Sequence, residues 1–508
     1  MTTSEPTTSL YLSHRQILVV LAGLMTGMFL AALDQSIVAT ALPRIVSELG
    51  GLDHLSWVVT SYLLTATSST PLWGKISDLY GRRPMFQTAI VIFVLGSVVL
   101  ALAPNMGVLI AGRAVQGLGA GGLIALALSI IGDVIPPRER GRYQGYFGVV
   151  FGSASVAGPL LGGFFTDGPG WRWIFWINVP IGIAALVVTS LALRMPVVRR
   201  EHKIDYVGAA FLVAAVSSIL LYTAWAGPEF GFGSPRSLAL LFAGLALVGI
   251  LMFIESRAAE PIIPLRLFRN KVFTPTVAFT ALMGVAMFGG IIFLPVYFQV
   301  VQGMTPTQSG LALLPMIVGI FTTSIGSGQI MTRTGRYKVF PILGSAVTAV
   351  ALLLLATIAD DTPYWLVASY VFVLGFGLGM TMQIVVTAVQ NAVERLDMGS
   401  ATSSVTFFRS MGGAFGTAIF GAVLATRLGH YLTESGATSA MPAGGSETEI
   451  ANDVEQILAL PDPIREIVIG AWVDSVNDVF LVAVPFVLCA FVIAWFIPEL
   501  RLKTAADS

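Results

Sequence analysis

The chain has 508 residues, of which 55% are hydrophobic and only 11% charged; 28 basic and 28 acidic side chains balance to zero, and the mean hydropathy is +0.83. Soluble domains carry about 25% charge, so a soluble globular fold is excluded. The single Cys489 excludes an intramolecular disulfide.

A bilayer core about 30 Å thick takes ~20 apolar residues per helix and offers no partner to a stray backbone group, so the expected elements are helices. Fourteen are predicted, near 17-40, 55-73, 85-103, 107-131, 143-166, 173-193, 205-226, 237-256, 273-300, 309-331, 338-358, 365-390, 401-426 and 477-497. The opening residues are polar and the first span is full length, which predicts a retained N-terminus rather than a cleaved leader. Of the basic residues, 21 fall in the tails and the loops after even-numbered spans, five lie in the other loops, and Arg113 and Arg409 lie within spans. This bias predicts cytoplasmic N- and C-termini. The only long loop, 427-476, is then external, and Ile450, Val454, Ile457 and Leu458 follow the spacing of a short amphipathic helix.

In the first span, Asp34 is the only acid predicted deep in a membrane segment, where a carboxylate costs ~2.5–3.5 kcal/mol and so needs a purpose. Burial and a nearby cation pull its protonation in opposite directions, which makes it responsive to whatever else occupies its surroundings. A structural ion pair is the bland alternative. After span two, Gly74-Lys75-Ile76-Ser77-Asp78-Leu79-Tyr80-Gly81-Arg82-Arg83 is a charged turn bracketed by glycines. In span four, Arg113 and, nearly one turn further in, Gln116 are polar; helix arithmetic sets Asp34 and Arg113 both ~10 Å below the outer surface, close enough for a direct or a water-bridged pair. Span five carries Gly145, Ala154, Gly158, Pro159, Gly162 and Gly163, suited to close helix approach and a bend. Arg409 in span thirteen has no partner identifiable from sequence. Gln35, Tyr62, Tyr297 and Gln383 are candidate cavity residues, with Gln116.

Gly74-Lys75-Ile76 and Gly328-Gln329-Ile330 begin similar turns ending at Gly81-Arg82 and Gly335-Arg336, and Arg138 and Gly141 recur as Arg395 and Gly399. Two similar halves are implied. They predict an all-α integral membrane protein with an N-terminal six-helix bundle (1-193), an inserted helix pair with cytoplasmic linkers (194-272), and a C-terminal six-helix bundle (273-508).

With these features the chain resembles the major facilitator superfamily, and in particular its fourteen-span drug/proton antiporters, over nearly its whole length. The resemblance implies that Gly74, Asp78, Gly81, Arg82 and Arg83 form a conformational gate, Asp78 meeting the N-terminal end of span thirteen. It also implies that Asp34, with Arg113, couples protons, and that Gly158, Pro159, Gly162 and Gly163 form an antiporter-type helix bend. In the second-half turn Thr332 stands where Asp78 stands in the first, so the same latch is not expected there.

The G-x-G-x-x-G at Gly117 to Gly122 lies inside a span with no preceding strand, and no Walker A sequence, H-E-x-x-H or cysteine pair is present, so dinucleotide, ATP and metal chemistry are not expected. The expectation is a non-enzymatic, cofactor-free, proton-coupled exporter of amphiphilic or cationic compounds in the cytoplasmic membrane, contacting lipids, without a nucleic-acid partner, and functional as a monomer. The nearest alternative is a dedicated exporter of an endogenous metabolite, lipid or siderophore. A solute symporter is less favoured.

Overall fold

A computed structural model describes residues 14–49, 55–193, 205–225, 231, 233–258, 260–435, 457 and 460–503. Among them the regular elements are all helical. The first half comprises α1 (His14–Leu49), α2 (Leu55–Tyr80), α3 (Arg82–Ala101), α4 (Met106–Val134), α5 (Pro137–Asp167), the single turn α6 (Trp173–Trp176) and α7 (Asn178–Ala192). A pair follows, α8 (Tyr206–Trp225) and α9 (Pro235–Glu255). The second half comprises α10 (Phe273–Val300), α11 (Pro306–Leu311), α12 (Leu314–Thr334), α13 (Val339–Leu355), α14 (Tyr364–Ala392), α15 (Met398–Glu434) and α16 (Asp462–Phe496).

Each predicted span lies on these helices, span six on α6 and α7 together and span ten on α11 and α12. Among the described residues twelve segments are long and apolar enough to cross a bilayer. The remaining two predicted spans fall on α13, short at 17 residues, and α2, whose Ser/Thr-rich middle, Lys75 and Asp78 make it less apolar.

Helices overrun the predicted spans at one end. α15 continues to Glu434 and α16 starts at Asp462, so both flanks of the predicted loop 427-476 are helical. Hydropathy ends where charges begin, but the backbone ladder does not, and here Asp478 of α16 holds the α15 extension through Arg427 at 3.1 Å and the Tyr431 hydroxyl at 3.0 Å. The predicted amphipathic helix falls at Ile450, Val454 and Leu458, outside the described residues; Ile457 is buried in the second-half core.

The halves share one packing plan. α2 and α3 lie on α4, and α1 on α5 and α7; in the second half α12 and α13 lie on α14, and α10 on α15 and α16. Lipid tails are as apolar as leucine, so helices gain little from hydrophobicity and associate through close packing at small residues. Gly96 and Gly119 illustrate this: a Cβ at either would stand 2.6–2.7 Å from the backbone of a neighbouring helix. α8 and α9 pair with each other, and α8 leans on α2 and α15, with Trp225 edge-on to Trp57 at 4.8 Å. The two bundles meet along two seams, α2 with α15 and α5 with α12.

Candidate functional site

Five helices of the first half converge on one carboxylate. Asp34 on α1 is 0% exposed, and Arg113 on α4 only 2%. Arg113 Nη1 donates to Asp34 Oδ2 at 2.5 Å and to Gln116 Oε1 at 2.6 Å. Gln116 Nε2 donates to Asp34 Oδ1 and to Ser97 Oγ on α3, each at 2.8 Å. Asn178, the first residue of α7, donates from Nδ2 to Asp34 Oδ1 at 3.0 Å and to Ser97 Oγ at 3.2 Å. Arg113 also donates from Nε to the Val58 carbonyl on α2 at 3.2 Å, and its guanidinium lies over the Tyr62 ring, 4.1 Å from the centroid.

Every partner of Asp34 is therefore a donor, the complement of an ionised carboxylate. Removing one member of such a buried pair costs about 3–5 kcal/mol because the other charge is left uncompensated. Asn178 Oδ1, buried beside the carboxylate, has no partner among the described residues. It is a ready acceptor should the acid carry a proton and the amide turn over. Sequence arithmetic leaves a direct and a bridged Asp34–Arg113 contact open, and the structure has the direct one. Ser97 and Asn178 were not anticipated; their signal is a lone polar residue in an apolar span, which packing alone also produces.

The residues expected to line a substrate cavity are dispersed. Tyr62 and Gln116 are buried within the Asp34 cluster, their surfaces already used, while the adjacent Gln35 is exposed. Tyr297 is not a cavity residue in this conformation: it is wholly buried in the second-half core and donates its hydroxyl to the Ala359 carbonyl at 3.3 Å. Gln383, with Arg140 and Gln390, lines a void of about 10 Å³ between the bundles.

The two seams are closed at the face that carries Lys75, Arg82 and Arg138. In the first, Asp78 Oδ1 accepts from the Gly399 N–H at 3.0 Å, and Oδ2 from the Ser400 N–H at 2.8 Å and the Ser400 hydroxyl at 3.0 Å. These are free amides of the first turn of α15, where the helix dipole favours an anion. Arg82 bridges Asp78 and Asp133 of α4, both at 2.6 Å, and Lys75 reaches Glu260 beyond α9 at 2.5 Å. Gly81 has φ 97, which lets α2 end and α3 begin without a gap. Arg83 takes no part in the seam; it donates to the Ser190 carbonyl of α7 at 3.0 Å, within its own bundle.

The second seam inverts the polarity of the first. Arg138 at the start of α5 donates from Nε to the Thr332 carbonyl at 3.1 Å and from Nη2 to the Arg333 carbonyl at 3.4 Å, so a cation meets the C-terminal end of α12. Gly141 and Gly328 touch backbone to backbone; a Cβ on either would stand 2.1 Å from the carbonyl of the other. Arg140 adds a bond to Gln390 Oε1 at 3.0 Å. The repeat pairs read in the sequence, Gly74 with Gly328 and Gly141 with Gly399, are thus the crossing points of both seams.

Gly158 and Gly162 face α1, where added Cβ atoms would meet Ser36 Oγ at 2.1 Å and Thr40 Cβ at 2.9 Å. Gly163 meets nothing within 4 Å, and α5 runs on through Pro159 to Asp167. The close contact ties a seam helix to the helix that carries Asp34. Arg409, in the second half, stands against α10 and α14 beside Met283 and Met382.

The profile described as Major Facilitator Superfamily matches residues 24–417. An uncharacterised MFS-type transporter of Mycobacterium tuberculosis (strain ATCC 25618 / H37Rv) is 41% identical over 96% of this chain and 70% of its own length. The multidrug transporter protein MdtP of Bacillus subtilis (strain 168) is 35% identical over 97% of this chain and 95% of its own. Among solved structures, the proton:xylose symporter XylE superposes with a TM-score of 0.61 at 15% identity, covering 97% of this chain and 98% of that one, a likeness of fold alone. With a profile spanning most of its length and relatives of this kind, the chain belongs to the major facilitator superfamily and groups with its multidrug efflux transporters.

Proposed function

We propose that the protein is a proton-coupled antiporter that exports amphiphilic compounds, cationic drugs among them, across the cytoplasmic membrane by alternating access. The observation that carries this reading is the single carboxylate, fully buried, held by three donors from two neighbouring helices, α4 and α7. With the basic face in the cytoplasm, as the charge bias favours, both termini are cytoplasmic and the two latched seams are the inner gate. Protonation of Asp34 removes the charge that Arg113, Gln116 and Asn178 converge on, and α1 passes that change to α5 through Ser36 and Thr40. Each proton entering down a potential of 100 mV supplies about 2.3 kcal/mol before any pH difference is added. The proton is the only coupling species required, and the protein works as a monomer without a cofactor.

Proteoliposomes under an imposed pH gradient test this. Wild type should accumulate a cationic dye at least ~10-fold faster than Asp34→Asn, whose neutral amide mimics a permanently protonated acid. Equal gradient-driven rates would remove Asp34 from the coupling scheme.

A further inference from the structure

Arg409 has no counterpart to Asp34. Among the described residues its guanidinium makes no hydrogen bond, ion pair or ring contact. It lies eleven residues into α15, roughly 16 Å along the helix from the end that Asp78 caps, and so at membrane depth. A guanidinium does not deprotonate in proteins, so this position carries a full positive charge at every working pH. Its surroundings are apolar: Phe279, Met283 and Met287 on α10, Leu378 and Met382 on α14. Neither hydroxyl in the same wall accepts from the guanidinium; Thr280 donates to the Thr276 carbonyl at 2.7 Å and Thr381 to the Leu378 carbonyl at 2.9 Å. The acids nearest in kind are committed elsewhere, Asp34 to Arg113, and Asp78 and Asp133 to Arg82.

An intramembrane cation with no internal anion calls for one from outside. We infer that Arg409 and its methionine-rich wall form a binding site for the anionic end of an amphiphile, a carboxylate or sulfonate. The guanidinium holds the two oxygens in a fork, and the apolar wall takes the first carbons of the tail. The space is about 10 Å³ here, room for one water, so the headgroup enters only as the bundle opens or as the unbranched, deformable Met283, Met287 and Met382 side chains swing aside. This inference rests on the reading of the chain as an exporter of amphiphiles, but not on proton coupling. It extends the substrate class to acids, whose outward movement an inside-negative potential assists.

Equilibrium binding in phosphatidylcholine nanodiscs tests it with one fluorescent tail and three ends: 12-(NBD-amino)dodecanoate, its primary amide, and the matching amine, each corrected for empty discs. Wild type should bind the carboxylate at least ~10-fold more tightly than the amide, Arg409→Gln should erase that preference while leaving amide binding unchanged, and Arg409→Lys should keep part of it. No preference in wild type, a preference that survives Arg409→Gln, or equal loss of all three ligands overturns the proposal. So does loss of the wild-type preference on replacing half the lipid with phosphatidylglycerol, which would make a lipid headgroup the occupant. Asp34→Asn is measured alongside: it should retain the preference, so a failure of gradient-driven transport and a failure of this site are read separately.

Discussion

At the scale of single residues, the cluster around Asp34 divides labour between charge and orientation. Arg113 supplies the counter-charge, and the amides of Gln116 and Asn178 fix where the carboxylate points, with Ser97 joining the two amides. Asn178 is the member whose loss is most informative, because it leaves the ion pair intact. Asn178→Ala removes one charge-assisted hydrogen bond, worth about 1.5–3 kcal/mol, and should lower the apparent melting temperature of the purified protein by several degrees. In an Asp34→Asn background the same substitution should cost much less, since contacting residues are not additive. Additive shifts in that cycle would show that Asn178 supports the fold independently of the carboxylate.

At the scale of elements, the gate is made of helix ends. Seam one sets a carboxylate on the N-terminus of α15; seam two sets a guanidinium on the C-terminus of α12. Both devices use the same dipole with opposite sign, which accounts for Thr332 standing where the repeat would have placed a second aspartate. Asp78→Ala should weaken the closed state by about 1–3 kcal/mol, a roughly 5- to 150-fold population shift toward opening, read as a longer spin-label distance between α2 and α15. Gly328→Val should open the other seam more completely, because its first side-chain carbon would fall 2.1 Å from the Gly141 carbonyl. Arg138→Ala should act in the same direction but more weakly. An unchanged distance in Gly328→Val would mean that the seam does not close by backbone contact.

At the scale of the whole molecule, the segment after α16 binds both halves at the gated face. Tyr337 donates its hydroxyl to the Pro498 carbonyl at 2.6 Å and accepts from the Leu500 N–H at 3.0 Å. Asn391 bonds Arg501 and Lys503, and the Arg138 N–H of the first half reaches the Lys503 carbonyl at 3.4 Å. Burial pushes the Tyr337 phenol above its ordinary range, so it remains a neutral donor through physiological pH. Truncation after Pro498 should favour the open gate by ~1–2 kcal/mol, visible as faster alkylation of Ser403→Cys, a buried position of α15 packed on Gly74 of α2, in a Cys489→Ser background. Unaltered alkylation would make the tail a passenger.

Composition and periodicity were enough for the membrane class and the all-helical fold, because a solvent without hydrogen-bond partners leaves a chain this apolar almost no option but helices. The same economy made Asp34, Arg113 and Asp78 conspicuous: a charge in oil is rare enough to be read as purposeful. Ser97 and Asn178 stayed hidden, since an uncharged polar side chain fits a span either way. Tyr297, a cavity candidate by residue type, lies buried in the second-half core in this conformation, because residue type does not report which way a helix face turns. Which groups touch, which helix end receives Asp78, and whether Arg409 finds an anion depend on helix rotation and on separations across hundreds of residues. Those are set by the packing of small side chains at helix crossings, and only the folded bundle expresses them.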